Sequence, residues 1–263
     1  MNESKAKKKI IKKKIEYFQY AYQSNSIHIG PSLSVFEILN VLYYVVMNKD
    51  DRFILSKGHA CLPLYQILKD KKIIDQEDIE NYYTNNSRLR GLADISTPGV
   101  HVTGGSLGHG LSVASGWAYG KKFKKEKGKI YCLIGDGEAN EGSIWEAIWF
   151  SAQQKLSNLV LIIDKNNLQA LRLTNEIMDL NLERILDDER INLQSINGHC
   201  LSEIKDSLSN TSNEKFNIII ANTIKGNSIS FIENVNSWHY GKITKKECDA
   251  AIVELNNQLE SIQ

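Results

Sequence analysis

Residues Tyr131–Gly142 read YCLIGDGEANEG: a strand-length apolar run passes straight into Gly-Asp-Gly and then meets two glutamates. A glycine on each side of Asp136 lets the chain turn tightly and lets a ligand approach the backbone. The run itself is apolar at every position, as expected of a strand buried on both faces of a parallel sheet. The spacing around it predicts a strand at about 129–135, a helix at about 143–155 and a strand at about 158–164, which is one βαβ unit. Further strand-length runs (RFILS, LVLIID, FNIIIANTI) alternate with helical segments such as SVFEILNVLYYVV and SIWEAIWFSAQQK. That alternation predicts the α/β class: a doubly wound, mostly parallel sheet with helices on both faces.

In such sheets ligands collect at the carboxyl ends of the strands, beside helix N-termini. Gly135-Asp136-Gly137 lies at one such end. Asp164-Lys165-Asn166-Asn167 lies at the next, thirty residues on. Asp136 and Asn166 bring hard oxygen atoms to one point, a pairing suited to Mg²⁺ or Ca²⁺, and such an ion completes its shell with phosphate oxygens and water. The pair therefore predicts a diphosphate-bearing cofactor along the strand ends. Taken alone, each motif reads as a turn; their separation by one intact βαβ unit favours the site.

Composition bounds the rest. With 263 residues, 42% hydrophobic and 24% charged, the chain can bury a core and reads as one large or two small domains. A net charge of +1 provides no global field for nucleic acid or anionic membrane. Seven lysines fall in the first fourteen residues, a basic N-terminal segment read as a solvated helix face. No apolar stretch is long enough to span a bilayer, and the lysine run leads into no signal-peptide core, so a cytoplasmic protein is expected. Cys61, Cys132, Cys200 and Cys248 are far apart and read as reduced structural thiols.

Gly135–Asn167, together with ILSKGHACLPLY, GVHVTGGSLGHGLSVASG and TIKGNSISFIENVNSWHYGK, resembles the N-terminal, thiamine diphosphate-binding half of transketolases, over most of residues 20–242. The resemblance implies the thiamine diphosphate-binding fold and a single domain over 1–263, with 1–14 as its basic segment. It implies Asp136, Asn166 and the Leu168 carbonyl as ligands of Mg²⁺ or Ca²⁺. It implies Lys57, His59, Gly105, Ser106, Leu107, Gly108, Gly135, Gly137, Glu138 and His239 as neighbours of the cofactor. Glu141 matches a family glutamate at a dimer interface, whereas Glu138 reads more simply as an acid at a helix N-terminus. His28 and His59 match substrate-channel histidines, and His239 one near the diphosphate, although Tyr240 stands where the family has glycine. His101 and His199 are given no role. The small residues of GHGLSVASGWAYG are read as close helix packing.

The implied activity is transfer of a two-carbon ketol or related acyl-anion unit from a sugar or keto-acid donor to an aldehyde acceptor. In this family a second, pyrimidine-binding domain supplies the glutamate that activates the cofactor. The chain thus resembles the first subunit of a split transketolase, with a heterotetramer expected. A thiamine-dependent 2-oxo acid dehydrogenase α subunit is the alternative, but SKGHA and SWH speak against it; a non-catalytic partner subunit is the third reading. One departure stands out: where transketolases carry a Gly-His-Pro-Asp-like segment, this chain has Gly91-Leu92-Ala93-Asp94. A donor with fewer hydroxyls is expected, with Arg88 or Arg90 meeting a carboxylate or phosphate. The opposing expectation is that His101, or a shifted loop, restores the missing contact.

Overall fold

The computed structural model describes residues 3–170 and 172–262. Five parallel strands form its sheet: β1 (Arg52–Leu55), β2 (Ile130–Gly135), β3 (Leu159–Lys165), β4 (Ile191–Asn197) and β5 (Phe216–Asn222), in the order β1-β2-β3-β5-β4. The helices are α1 (Glu3–Gln23), α2 (Ile29–Ser34), α3 (Phe36–Val41), α4 (Cys61–Asp70), α5 (Gln76–Glu80) and α6 (His109–Lys124), then α7 (Gly142–Gln153), α8 (Thr174–Ile177), α9 (Leu182–Ile185), α10 (Leu201–Ser209) and α11 (Lys245–Ser261). The central βαβ unit falls within about a residue or two of its expected bounds.

Alternation along each strand divides the core in two. Phe53, Leu55, Tyr131, Leu133, Val160, Ile162 and Ile219 face one layer, which α1, α3, α4, α10 and α11 complete. Ile54, Ile130, Cys132, Ile134, Leu161, Ile163 and Ile218 face the other, which α6 and α7 cover. Burial on both faces explains why these strands show no polar alternation.

Register fixes the site. Gly135 pairs with Asp164, Asp164 with Ala221 and Lys165 with Asn222, so the residues that follow β2, β3 and β5 emerge side by side. The segment after β1 joins them.

Three expectations need correcting. The lysine run is not simply a solvated face: Lys13 and Lys14 are buried, paired with Asp70 and Glu37, because α1 lies against α4 and α11. The segment SVFEILNVLYYVV is not one helix: its Ser34 ends α2, which begins at Ile29, and the chain breaks at Val35 before α3. The small residues of α6 do not all serve packing within this chain: a Cβ at Gly110 would strike Ser56, but Gly116 and Gly120 have nothing within 4 Å.

Candidate active site

A cavity of about 370 Å³ opens at the carboxyl ends of β1, β2, β3 and β5. Its floor is held by Asp164, which is fully buried on β3. Lys57 and Thr223 reach it from the ends of β1 and β5; Ser34 donates to Oδ2 at 2.7 Å and the Asn166 amide at 3.1 Å. Burial alone would raise the Asp164 carboxyl, but Lys57 and the hydroxyls outweigh it and hold the group below its usual range. With its nitrogen tied to Asp164, Asn166 turns its oxygen toward the loop, where the Leu168 N–H donates to it at 3.1 Å.

Asp136 stands beside it. Its Oδ1 accepts from the Gly137 N–H at 2.8 Å, and its Oδ2 from the Asn167 N–H at 2.6 Å and Thr174 Oγ1 at 3.2 Å. Burial, followed by the neighbouring Asp164 charge, pushes its carboxyl up to about 6. A buried carboxylate raised in this way gains most from a cation. Asp136, Asn166 and Leu168 all line the cavity, and a carboxylate, an amide oxygen and a backbone carbonyl are hard donors of the kind that suits Mg²⁺ or Ca²⁺. The side-chain nitrogen of Gln169, which also lines the cavity, is buried without a hydrogen-bond partner, so a polar group is called for there.

Glu138 does not serve a helix N-terminus as expected. Its carboxylate is buried and accepts from Ser56 Oγ, the Gly108 N–H at 2.9 Å and the Gly135 N–H at 3.3 Å, clasping three loops together. Gly108, with φ +87°, passes so close to Glu141 that a Cβ there would lie 2.9 Å from the glutamate's Cβ. Glu141 precedes α7 and lines the cavity.

At the other end three imidazoles gather. The His28, His59 and His239 rings lie 5.3 to 5.9 Å apart, and Tyr240 packs edge-on against His28 at 5.4 Å. Burial, followed by Lys225, lowers His28 to about 4 and His239 to about 3; burial and then Lys57 take His59 well below its usual value. All three are neutral near pH 7. Lys225 Nζ has only donors to offer and lies 2.9 Å from His239 Nδ1, so the His239 proton sits on Nε2.

The cavity brings together His28, Lys57, His59, Gly105, Leu107, Gly135, Asp136, Gly137, Glu138, Glu141, Asn166, Leu168 and His239. Ser106 is exposed outside its lining, and Gly108 lies behind it. Lys225 was not foreseen. It donates to the Leu168 and Gln169 carbonyls at 3.3 and 2.9 Å, and burial and then Lys57 lower its amine to about 8. A signal existed: Lys-Gly comes within three residues of a strand end in both LSKG and TIKG. His101 packs on Trp117 at 5.2 Å, outside the lining, so it does not replace a contact at Leu92, which does line the cavity. Arg88 is engaged by Asp78 on the surface and cannot meet a cavity anion. His199, given no role, bridges Glu37 and the Ile224 N–H.

Residues 18–257 match the family model described as the transketolase, thiamine diphosphate binding domain. The chain belongs to the transketolase family. It is 36% identical over 259 residues to an apulose-4-phosphate transketolase subunit of Phocaeicola vulgatus, covering 93% of this chain and 92% of that one. It is 35% identical over 246 residues to a 6-deoxy-6-sulfo-D-fructose transketolase subunit of a Clostridium species, covering 88% and 89%. The crystal structure of transketolase from Campylobacter jejuni superposes with a TM-score of 0.85 at 28% identity, over 96% of this chain but only 43% of that one. The family is a thiamine diphosphate-binding one and its chemistry is ketol transfer; the dehydrogenase alternative is not favoured.

Proposed function

We propose that this transketolase-family chain binds thiamine diphosphate through a divalent ion held by Asp136, Asn166 Oδ1 and the Leu168 carbonyl, and completes its active site with a second subunit. That Asp136, Asn166 and Leu168 line one cavity with the partnerless Gln169 amide carries the first part. When bound, the cofactor supplies the carbanion chemistry that cleaves a ketose next to its carbonyl. The chain's own residues do the rest. Lys57 and Lys225 set a positive field over the diphosphate end. His28, His59 and the Nε2–H of His239, all neutral, are hydrogen-bonding groups for the hydroxyl and carbonyl oxygens of a donor.

The second part rests on the outer surface of α6 and α7. Val113, Tyr119, Phe123, Trp149 and Phe150 are exposed there, and Phe123 is 80% exposed. The same face carries Gly116, Gly120 and Gly142, each with open space above it. An apolar face of this kind that begins at the cavity rim marks an interaction surface. The partner is a subunit with the pyrimidine-binding domain, in a heterotetramer; relatives of this length are named as subunits, while the one-chain transketolase is more than twice as long.

Calorimetric titration of the chain with thiamine diphosphate and Mg²⁺, alone and after mixing with the partner subunit, tests both parts. Ketol transfer should appear only on mixing. Full activity of the lone chain would refute the assembly, and failure to bind the cofactor in either state would refute the site.

A further inference from the structure

Lys225 reaches the cavity from a tightly wound turn. After β5, Gly226 has φ +85° and Ser228 φ +84°. The lysine stem threads a slot: a Cβ at Gly30 would lie 3.1 Å from the Trp238 carbonyl and 3.3 Å from Lys225 Cγ. The position of the turn therefore decides where Nζ arrives.

Outside the cavity, a buried charged cluster grips that turn. His199 Nε2 accepts from the Ile224 N–H at 2.8 Å, so the ring proton sits on Nδ1 and is donated to Glu37 Oε2 at 3.0 Å. Glu37 Oε1 lies 2.6 Å from Lys14 Nζ and 3.5 Å from the Asn227 amide. Lys14 Nζ also donates to Ser228 Oγ at 2.7 Å, and the Ser228 N–H donates to Glu233 at 2.8 Å. Burial pushes the Glu37 carboxyl up, but Lys14 and His199 outweigh it and hold the group at about 2. The turn is thus tied at Ile224, Asn227 and Ser228, on both sides of Lys225.

A buried ion pair is a poor source of stability, because the cost of desolvating two charges offsets most of their attraction. Its worth lies in fixed geometry. We infer that His199 and Glu37, with Lys14, are positioning residues that hold the Ile224–Ser228 turn so that Lys225 meets the Leu168 and Gln169 carbonyls and His239. The inference rests on the cofactor site proposed above. It gives the basic N-terminal segment and a histidine outside the cavity a part in cofactor binding.

The test is a double-mutant cycle on thiamine diphosphate affinity in Mg²⁺, by calorimetry, with His199→Ala, Lys225→Ala and the pair. His199→Ala is expected to weaken binding by about tenfold, the scale of an outer-shell support. His199→Gln can still accept from Ile224 and donate to Glu37, and should restore most of the loss. In the Lys225→Ala background the His199 substitution should cost less than about twofold, since the residue it acts through is gone. A cofactor-free readout accompanies it: the rate at which an amine-acylating reagent modifies Lys225, mapped by mass spectrometry, should change in His199→Ala and return in His199→Gln. Fully additive losses, or a His199→Ala chain that only melts earlier while affinity and Lys225 reactivity stay unchanged, would overturn the inference. If the parent chain binds no cofactor even after mixing with its partner subunit, the proposed function fails, and Lys225 reactivity still decides the positioning role.

Discussion

The two faces of the sheet are finished to different degrees. On the face covered by α1, α3, α4, α10 and α11, even charged groups are drawn in and paired: Lys14 with Glu37, both buried, and buried Lys13 with Asp70 at the surface. On the other face, α6 and α7 bury Leu111, Ala114, Ile144 and Ile148 against the strands, but turn Tyr119, Phe123, Trp149 and Phe150 outward. One side is a closed core. The other leaves apolar side chains uncovered, and the cavity lies at the strand ends where α6 and α7 begin.

Charging the open side is the strongest way to break this contrast. Phe123→Glu combined with Trp149→Glu should leave the fold of the isolated chain intact, since both side chains are exposed, yet reduce activity on mixing with the partner to background. Unchanged activity would show that the partner docks elsewhere. Next in size, Asp136→Ala removes the charged oxygen of the metal set; affinity for thiamine diphosphate in Mg²⁺ should fall about a hundredfold or more, roughly 2.7 kcal/mol, with little change in circular dichroism. Equal affinity would remove Asp136 from the metal set.

Leu92 gives a smaller expected effect. It lines the cavity and offers no hydrogen bond to a donor hydroxyl. On the reconstituted complex, pyruvate or a deoxy keto-sugar should be favoured over xylulose 5-phosphate by about tenfold in kcat/KM, and Leu92→His should reverse the preference. Preference for the ordinary ketose in the parent would end the idea. The closed side is tested by Lys14→Ala: leaving Glu37 buried without its cation should cost about 3 kcal/mol or more and lower Tm by about 10 °C.

The smallest effect is in pH. His28 and His239 take up protons in the unfolded chain near pH 6.5 but, when folded, only near 4 and 3. Their contribution to stability is present above pH 6.5 and is lost as pH falls toward 4. Asp136, raised to about 6, acts in the opposite sense, binding a proton when folded before it would unfolded. A decline of a few degrees in Tm between pH 6.5 and 4 is expected, shallower in the His28→Asn, His239→Asn double variant and steeper in Asp136→Asn. A flat profile in all three chains would mean that the imidazoles stay hydrated.

What the sequence disclosed and what it hid follow from range. The βαβ alternation and the Gly-Asp-Gly and Asn166 strand ends are local patterns, and they located the sheet and the cavity at its carboxyl edge. The clasp made by Glu138 joins Ser56, Gly108 and Gly135, and no short window contains all of them. Lys14 meets Ser228 across 214 residues, so its burial could not be told from a solvated lysine by charge pattern alone. His199 looked idle for the same reason: its partners, Glu37 and Ile224, come from α3 and the turn after β5. The exposed face of α6 was misread because small residues signal close approach without saying whether the approaching helix belongs to the same chain.

Gly58 and Gly104 carry a consequence for redesign. A Cβ at Gly58 would stand 2.5 Å from the Gly104 carbonyl oxygen, and one at Gly104 would stand 2.6 Å from Gly58 Cα, so the two backbones lie in contact beside His59. Hydrogen bonds from the Ala93 N–H to the Gly58 carbonyl and from the Gly104 N–H to the Ala93 carbonyl fasten the segment bearing Leu92 to the same spot. That wall is a fixed mount with an exchangeable tip. New donors are to be sought by changing the side chain at position 92, one residue at a time, while lengthening or resculpting the loop would dismantle the seat of the imidazole cluster along with it.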